Sequence, residues 1–359
     1  MTAATLALVE SPVQLLHTLE WCHSTGAAAD TMVAVLAPRD EASRRQLRAM
    51  LGFADEEGID ATWFDPRRPA ELPGALVRLR RAVSRADRLL VGDPFSGLIR
   101  ALLPVARAGD VVVLDDGTAT IDFTARLADR RPLARWDARP GGLGGRLRDR
   151  LGSHAGAFYA PGNGRRVSTF TVMPGTSLPG LVRQQNGYEW TRRRFSHPEV
   201  VGGTDVVGSS LVESGVVDEA AYLAVVHALA ASRGVGGRYY AHRREDDGKL
   251  REIAAGTGLE VVRPEVPLEV EVRRGPVARR VVSFPSSVCY TLPVVLAGVP
   301  VDILAVPVEP GWLRTGVTPA ARGFLASIAE RSGLPAPDGG TEPAAPVSAG
   351  RRSAARSGR

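Results

Sequence analysis

The sequence predicts an α/β protein made of two Rossmann-type halves that face each other across a central cleft. Three observations lead there. Short apolar runs ending in Gly, Asp or Pro alternate with amphipathic segments rich in Ala, Leu and Arg, the βαβα rhythm of parallel sheets covered on both faces. The rhythm lapses over about residues 131–200 and resumes from Asp205. A length of 359 residues also asks for about two domains at roughly 100–200 residues each.

In the first half, residues 4–11, 32–38, 59–64, 88–93 and 110–116 read as strands, each a run of apolar or β-branched residues closed by a turn former. The segments between them, PVQLLHTLEWCH, DEASRRQLRAML, LPGALVRLRRAVSR and PFSGLIRALLPVAR, read as helices, several opening with Pro or an acidic residue. Residues 131–200 hold Pro140, a GGLGG run with no clear helix after it, PGNG, VSTFTVM and the arginine-rich WTRRRF, and are expected to be the crossover. The second half runs TDVVGSS, a helix over 218–232, GRYYAHR, a helix over 246–256, LEVVRP, RRVVSFPSS, a helix over 288–298, VDILAVPV and a closing helix near 318–332. This assigns 1–200 to an N-terminal domain, 201–334 to a C-terminal domain and 335–359 to a Pro-, Gly-, Ser- and Arg-rich tail expected to be disordered. Two such domains in one chain fit the GT-B-like architecture, in which the cleft lies at the strand C-termini.

The composition, 44% hydrophobic and 23% charged, excludes collagen, a coiled coil and a wholly disordered chain. The apolar run from Val288 to Val301 is broken by Pro293 and Pro300, so no membrane span is expected, and no basic residue precedes the first apolar stretch as a secretory signal requires. A cytoplasmic protein is expected. Cys22 and Cys289 form neither a disulfide framework nor a zinc-spaced set. Of the formal +6, residues 340–359 carry +3, four arginines against Glu342, and Lys249 is the sole lysine. A nucleic-acid partner is therefore not expected, while the tail suits peripheral contact with an anionic membrane.

Chemistry is carried at strand ends. Asp115 and Asp116 close the strand VVVLDD ahead of Gly117, where desolvation and a neighbouring like charge make one carboxylate a base for an alcohol; a plain Asp-Asp-Gly turn is the alternative. His242 ends GRYYAH beside Arg243 and Arg244, a group suited to an anionic phosphate. Ser286 and Ser287 follow a strand and open a helix, as phosphate ligands or as an ordinary cap. His197-Pro198 has no strand before it and reads as a decoy. No metal motif, Walker loop or dinucleotide fingerprint occurs.

Asp115-Asp116-Gly117, His242 and Ser286-Ser287, in that order, resemble the signatures of the bacterial sialyltransferase and polysialyltransferase group. Segments 10–21, 91–98 and 209–223 look like its lipooligosaccharide branch, so the resemblance spans about residues 5–305. The chain departs from the group in placing Arg243 after the histidine where Pro is usual, and Tyr240 where some relatives carry lysine.

The resemblance implies a metal-independent, inverting transfer of sialic acid or a related nonulosonic acid from a CMP-activated donor to a glycan hydroxyl. Asp115, or else Asp116, would be the base, Asp115 being favoured by the group's usual first-position choice. His242 and Arg243 would meet the leaving phosphate, Ser286 and Ser287 would hold the phosphate or donor carboxylate, and Glu269, in the group's Pro-x-Glu context, would contact the nucleoside. Ser11, Gln14 and Asp93 are placed on the acceptor side or in the cleft. No cofactor or metal is expected. The rival readings are a UDP- or GDP-sugar-dependent transferase of the same fold, and a catalytically silent glycan-binding or polymer-assembly protein.

Overall fold

The computed structural model describes residues 5–65, 72–133, 142–232 and 237–317, with four more at 322, 323, 325 and 326. The tail lies outside these residues, as does nearly all of the closing helix expected near 318–332.

The first half runs β1 (Thr5–Val9), α1 (Pro12–Thr25), β2 (Thr31–Leu36), α2 (Glu41–Glu56), β3 (Asp60–Phe64), α3 (Leu72–Arg85), β4 (Arg88–Val91), α4 (Gly97–Leu102), β5 (Asp110–Leu114), α5 (Thr118–Ala128), α6 (Gly142–Tyr159), β6 (Arg166–Thr171), β7 (Leu181–Gln185) and α7 (Glu189–Arg194). The second continues with β8 (Val200–Val207), α8 (Glu219–Ser232), β9 (Arg238–Tyr240), α9 (Asp247–Thr257), β10 (Glu260–Val262), α10 (Leu268–Arg274), β11 (Val277–Ser283), α11 (Val288–Val295) and β12 (Asp302–Ala305). Among the described residues the strands form two wholly parallel sheets, ordered 3-2-1-4-5-6-7 and 10-9-8-11-12.

The order of each sheet reverses beside its first strand, between β1 and β4 and between β8 and β11. Such a point leaves a crevice at the strand C-termini. Register makes those ends level: Val91 lies beside Leu8 and Val113, and Leu114 beside Phe170. The residues after β1, β4, β5 and β6 therefore emerge side by side. In the second sheet Val207 lies beside both Tyr240 and Ser283, which brings Gly208, His242 and the Ser286-Ser287 turn to one edge.

The crossover expectation needs correction. GGLGG does lead into a helix, α6, and VSTFTVM and LVRQQ become β6 and β7, which extend the first sheet rather than leaving it. WTRRRF is anchored through its aromatic ends, while Arg192, Arg193 and Arg194 between them are exposed. Trp190 is buried, and Phe53 of α2, Trp190 and Phe195 meet edge to face with centroids 5.7–6.0 Å apart. Arg194 lies over these rings and ion-pairs with Glu56 and Glu57. The buried apolar residues here are continuous with Val266, Val270, Val281 and Leu292 of the second half, so one core joins the two sheets along this flank.

Candidate functional site

Gly117 follows β5 with φ 64° and ψ −123°, a backbone that excludes a β-carbon on steric grounds. This turn sends the two preceding carboxylates in different directions. Asp115 is 1% exposed, and both of its oxygens are engaged. Oδ1 accepts from the Gly117 N–H at 2.8 Å and the Thr120 hydroxyl at 3.1 Å, and Oδ2 from the Thr171 hydroxyl at 2.6 Å and the Val172 N–H at 3.2 Å. It pins the β5, β6 and α5 ends together.

Asp116 is the less enclosed of the two carboxylates. Its side chain is half-buried in surface terms yet deep in the protein mass. Burial pushes its carboxyl up to about 7, helped by the charges of Asp93 and Asp115 and opposed by Arg243 and a hydrogen bond from Gln14. Gln14, buried, also accepts from the Glu10 N–H at 2.7 Å, and it fits only because residue 92 is glycine: a β-carbon there would lie 2.2 Å from Gln14 Oε1. Asp93 is buried and receives the Phe95 N–H at 2.7 Å. Ser11 caps α1, its hydroxyl accepting from the Gln14 N–H at 3.3 Å. Gln14 and Asp93 thus converge on Asp116, while the Ser11 hydroxyl is spent on the helix end.

His242 faces this group from the second half, also half-buried. Its own N–H donates to Glu245 Oε2 at 2.6 Å, and its ring Nδ1 accepts from the Arg244 N–H at 3.2 Å. With Nδ1 an acceptor, Nε2 carries the proton by assignment from the hydrogen-bond pattern. Burial, followed by Arg243, Arg244 and Lys249, holds the imidazole down to about 3 against Asp40, so the ring is neutral near pH 7. Arg243 is drawn below its ordinary value by burial but is held as a cation by Asp116, Asp40 and Glu269. Its charge is felt by carboxylates of both halves.

Ser287 lies across from Gly117, its Cβ 3.1 Å from where a β-carbon on Gly117 would sit. It begins α11 in helical conformation with no side-chain capping bond, so the ordinary-cap reading does not describe it. Ser286 lies 3.5 Å, hydroxyl to hydroxyl, from Ser283. Glu269 is 4% exposed on α10 and accepts the Thr291 hydroxyl of α11 at 2.7 Å. His197 stands apart near Gly298. Among the described residues no group of three His, Cys, Asp or Glu side chains could hold a metal ion, and no helix is long and apolar enough to cross a membrane.

Several residues of this region lie outside the motifs read from the sequence. His17 of α1 bridges the Asp115 carbonyl and the Tyr188 hydroxyl, both at 2.8 Å. Glu20, one turn on, accepts the Trp190 and Thr191 N–H groups and the Thr191 hydroxyl, holding the start of α7 against α1. Asp40, the cap of α2, adds negative charge near Arg243 and His242. A histidine and a glutamate in an otherwise buried helix were the signal for the first two.

No family model matches the chain, and no curated protein matches it in sequence. Among solved structures it is similar to an α/β-galactoside α-2,3-sialyltransferase of the luminous marine bacterium Photobacterium phosphoreum, at 10% identity over 90% of this chain and 95% of that one, with a TM-score of 0.50. It is also similar to the heptosyltransferase WaaC of E. coli with ADP (16% identity, 91% and 98% covered, TM-score 0.41) and to MurG of Acinetobacter baumannii (12%, 90% and 83%, 0.38). Two parallel sheets, each with a switch point beside its first strand, together with the first of these likenesses, define a GT-B-like fold.

Proposed function

We propose that the protein is an inverting glycosyltransferase that moves sialic acid or a related nonulosonic acid from a CMP-activated donor to a glycan hydroxyl. The observation that carries this reading is Asp116, a carboxylate raised to about 7 on one wall of the cleft, facing Arg243 and a neutral His242 on the other. The order of the Asp-Asp-Gly, His and Ser-Ser signatures supplies the donor class.

Asp116, rather than Asp115, is the base. Asp115 is saturated by four donors, whereas Asp116 is open to a ligand and has a proton affinity near working pH. The acceptor oxygen attacks the anomeric carbon as its proton passes to Asp116. The bond from that carbon to the phosphate oxygen breaks, and CMP departs with the electron pair. His242 Nε2–H and Arg243 stabilise the charge developing on the phosphate, with the neutral ring donating a hydrogen bond. Ser286 and Ser287 hold the phosphate or donor carboxylate, and Glu269, which interacts electrostatically with Arg243, contacts the nucleoside. No metal or cofactor is invoked. A glycan acceptor is the second substrate, and the cytoplasmic side, with the basic tail against an anionic membrane, is the proposed setting.

The test is thermal unfolding with CMP, CDP, UDP and GDP, each in millimolar excess. At about a hundred times its dissociation constant a ligand stabilises by about 2.7 kcal/mol. Cytidine nucleotides should raise the melting temperature and the others should not. A shift with UDP or GDP alone would replace the CMP donor by a UDP- or GDP-sugar.

A further inference from the structure

Beneath the His242 loop lies a buried polar cluster that the transfer chemistry does not use directly. Lys249, the single lysine among 45 basic side chains, is 0% exposed in side-chain terms and ion-pairs with Glu245 Oε1 at 2.9 Å and Glu213 Oε1 at 2.8 Å. Its ammonium also lies 4.4 Å from the centre of the Tyr222 ring. Glu245 accepts at Oε1 from the Tyr239 hydroxyl at 2.6 Å and at Oε2 from the His242 N–H at 2.6 Å. Glu213 accepts the Asp246 N–H at 3.1 Å, and Tyr222 receives the Ser209 N–H at 3.0 Å and lies 2.8 Å from the Tyr239 hydroxyl. The cluster needs a glycine at 208, because a β-carbon there would stand 2.3 Å from Glu245 Oε2 and 2.5 Å from the Tyr239 hydroxyl.

Every other cation of this chain is arginine. Arginine's planar fork suits exposed or bidentate pairing, while a compact ammonium can meet two carboxylates and a ring face in an enclosed space. A buried carboxylate without a partner takes up a proton, and its hydrogen bond to a main-chain N–H then loses the charge that strengthens it.

We propose that Lys249 is a positioning residue for His242: it holds Glu245 as the anion that fixes the His242 main chain, and through Glu213 it ties that geometry to the loop after β8. This rests on the reading in which His242 meets the departing phosphate. Burial raises Glu245's carboxyl, and Lys249 is the largest influence opposing it, consistent with that role.

The test uses the full chain labelled with ¹⁵N-histidine, with His242→Asn to assign the signal. Wild type should show His242 as the neutral Nε2–H tautomer. In Lys249→Met the signal should move to mixed tautomers, which a loss of field from Lys249 alone does not produce; Arg243, Arg244 and Asp40 still face the ring. Lys249→Met/Glu245→Gln removes the two fully buried charges and serves where the single variant fails to fold, since the one ion left without its partner, Glu213, reaches solvent. With a CMP-linked donor, kcat should fall about 10- to 100-fold while the acceptor KM stays within about twofold. An unchanged tautomer in the folded variant would overturn the proposal. A wild type that transfers nothing, with the tautomer still scrambled by the variant, would overturn the functional reading and uphold the positioning role.

Discussion

Asp116→Asn separates function from stability in a direction the geometry fixes. In the unfolded chain the carboxyl titrates near 3.8, and in the cleft it titrates near 7. Below about pH 4 both states hold the proton, and the aspartate costs nothing relative to its neutral isostere. As pH rises toward 7 the unfolded chain sheds the proton while the folded one retains it, so wild type loses stability across that window and the loss is complete above about pH 7. The difference corresponds to about 4 kcal/mol, and water around the side chain reduces it to ~2–4 kcal/mol. The neutral amide of the variant carries no such penalty. At pH 8 the variant should therefore melt ~4–8 °C above wild type, at about 2 °C per kcal/mol for a chain of this size, and the two should coincide near pH 4. Transfer should fall about 10²- to 10⁴-fold. The assay is calorimetric melting from pH 4 to 8 beside donor turnover at pH 8. A variant less stable than wild type at pH 8, or one that keeps its activity, would refute the reasoning.

Asp115→Asn should do the opposite to stability: with four donors aimed at its oxygens, each mismatched contact costs about 1–3 kcal/mol, and chemical denaturation at neutral pH should show the loss. Wild-type kcat/KM should rise tenfold per pH unit below about 7 and level off above it, the limb reporting Asp116, while His242 at about 3 adds no second limb in that range; a profile flat from pH 5 to 8 would remove Asp116 as base. Gly117→Ala should lower stability by about 1–3 kcal/mol from backbone strain and reduce transfer by pressing on Ser287, both read in one preparation by melting and turnover. Glu20→Gln should weaken the seat of α7 without touching the cleft, seen as faster amide exchange at Trp190 and Thr191.

Much of this was legible from the chain because buried parallel strands announce themselves as apolar runs, and their C-terminal ends carry the polar residues that line a cleft. VVVLDDG, GRYYAH and VVSFPSS could be placed at strand ends on that ground; the structure sets Ser287 against Gly117 and the charge of Arg243 near Asp116. What stayed hidden was set by contacts distant in sequence. No local motif separates Asp115 from Asp116; two of the four donors that engage Asp115 come from Thr171 and Val172, more than fifty positions on. Glycine's poor helix propensity disguised α6, whose start is GGLGG. The short helices α7 and α10 carry too few turns for a periodic signal, so Trp190 and Phe195 read as linker although they pack against Phe53. Lys249 did carry a signal, its singularity, but only the structure shows the two carboxylates that account for it.

The central claim is transfer from a CMP-linked nonulosonic acid, and the direct measurement is product formation by purified protein given CMP-sialic acid or a related CMP-linked nonulosonic acid, or a UDP- or GDP-sugar, together with a panel of glycan acceptors. Release of CMP coupled to a new glycan product, absent with Asp116→Asn, is the predicted result. Turnover of a UDP- or GDP-sugar instead, or nucleotide binding without any product across the panel, would contradict it.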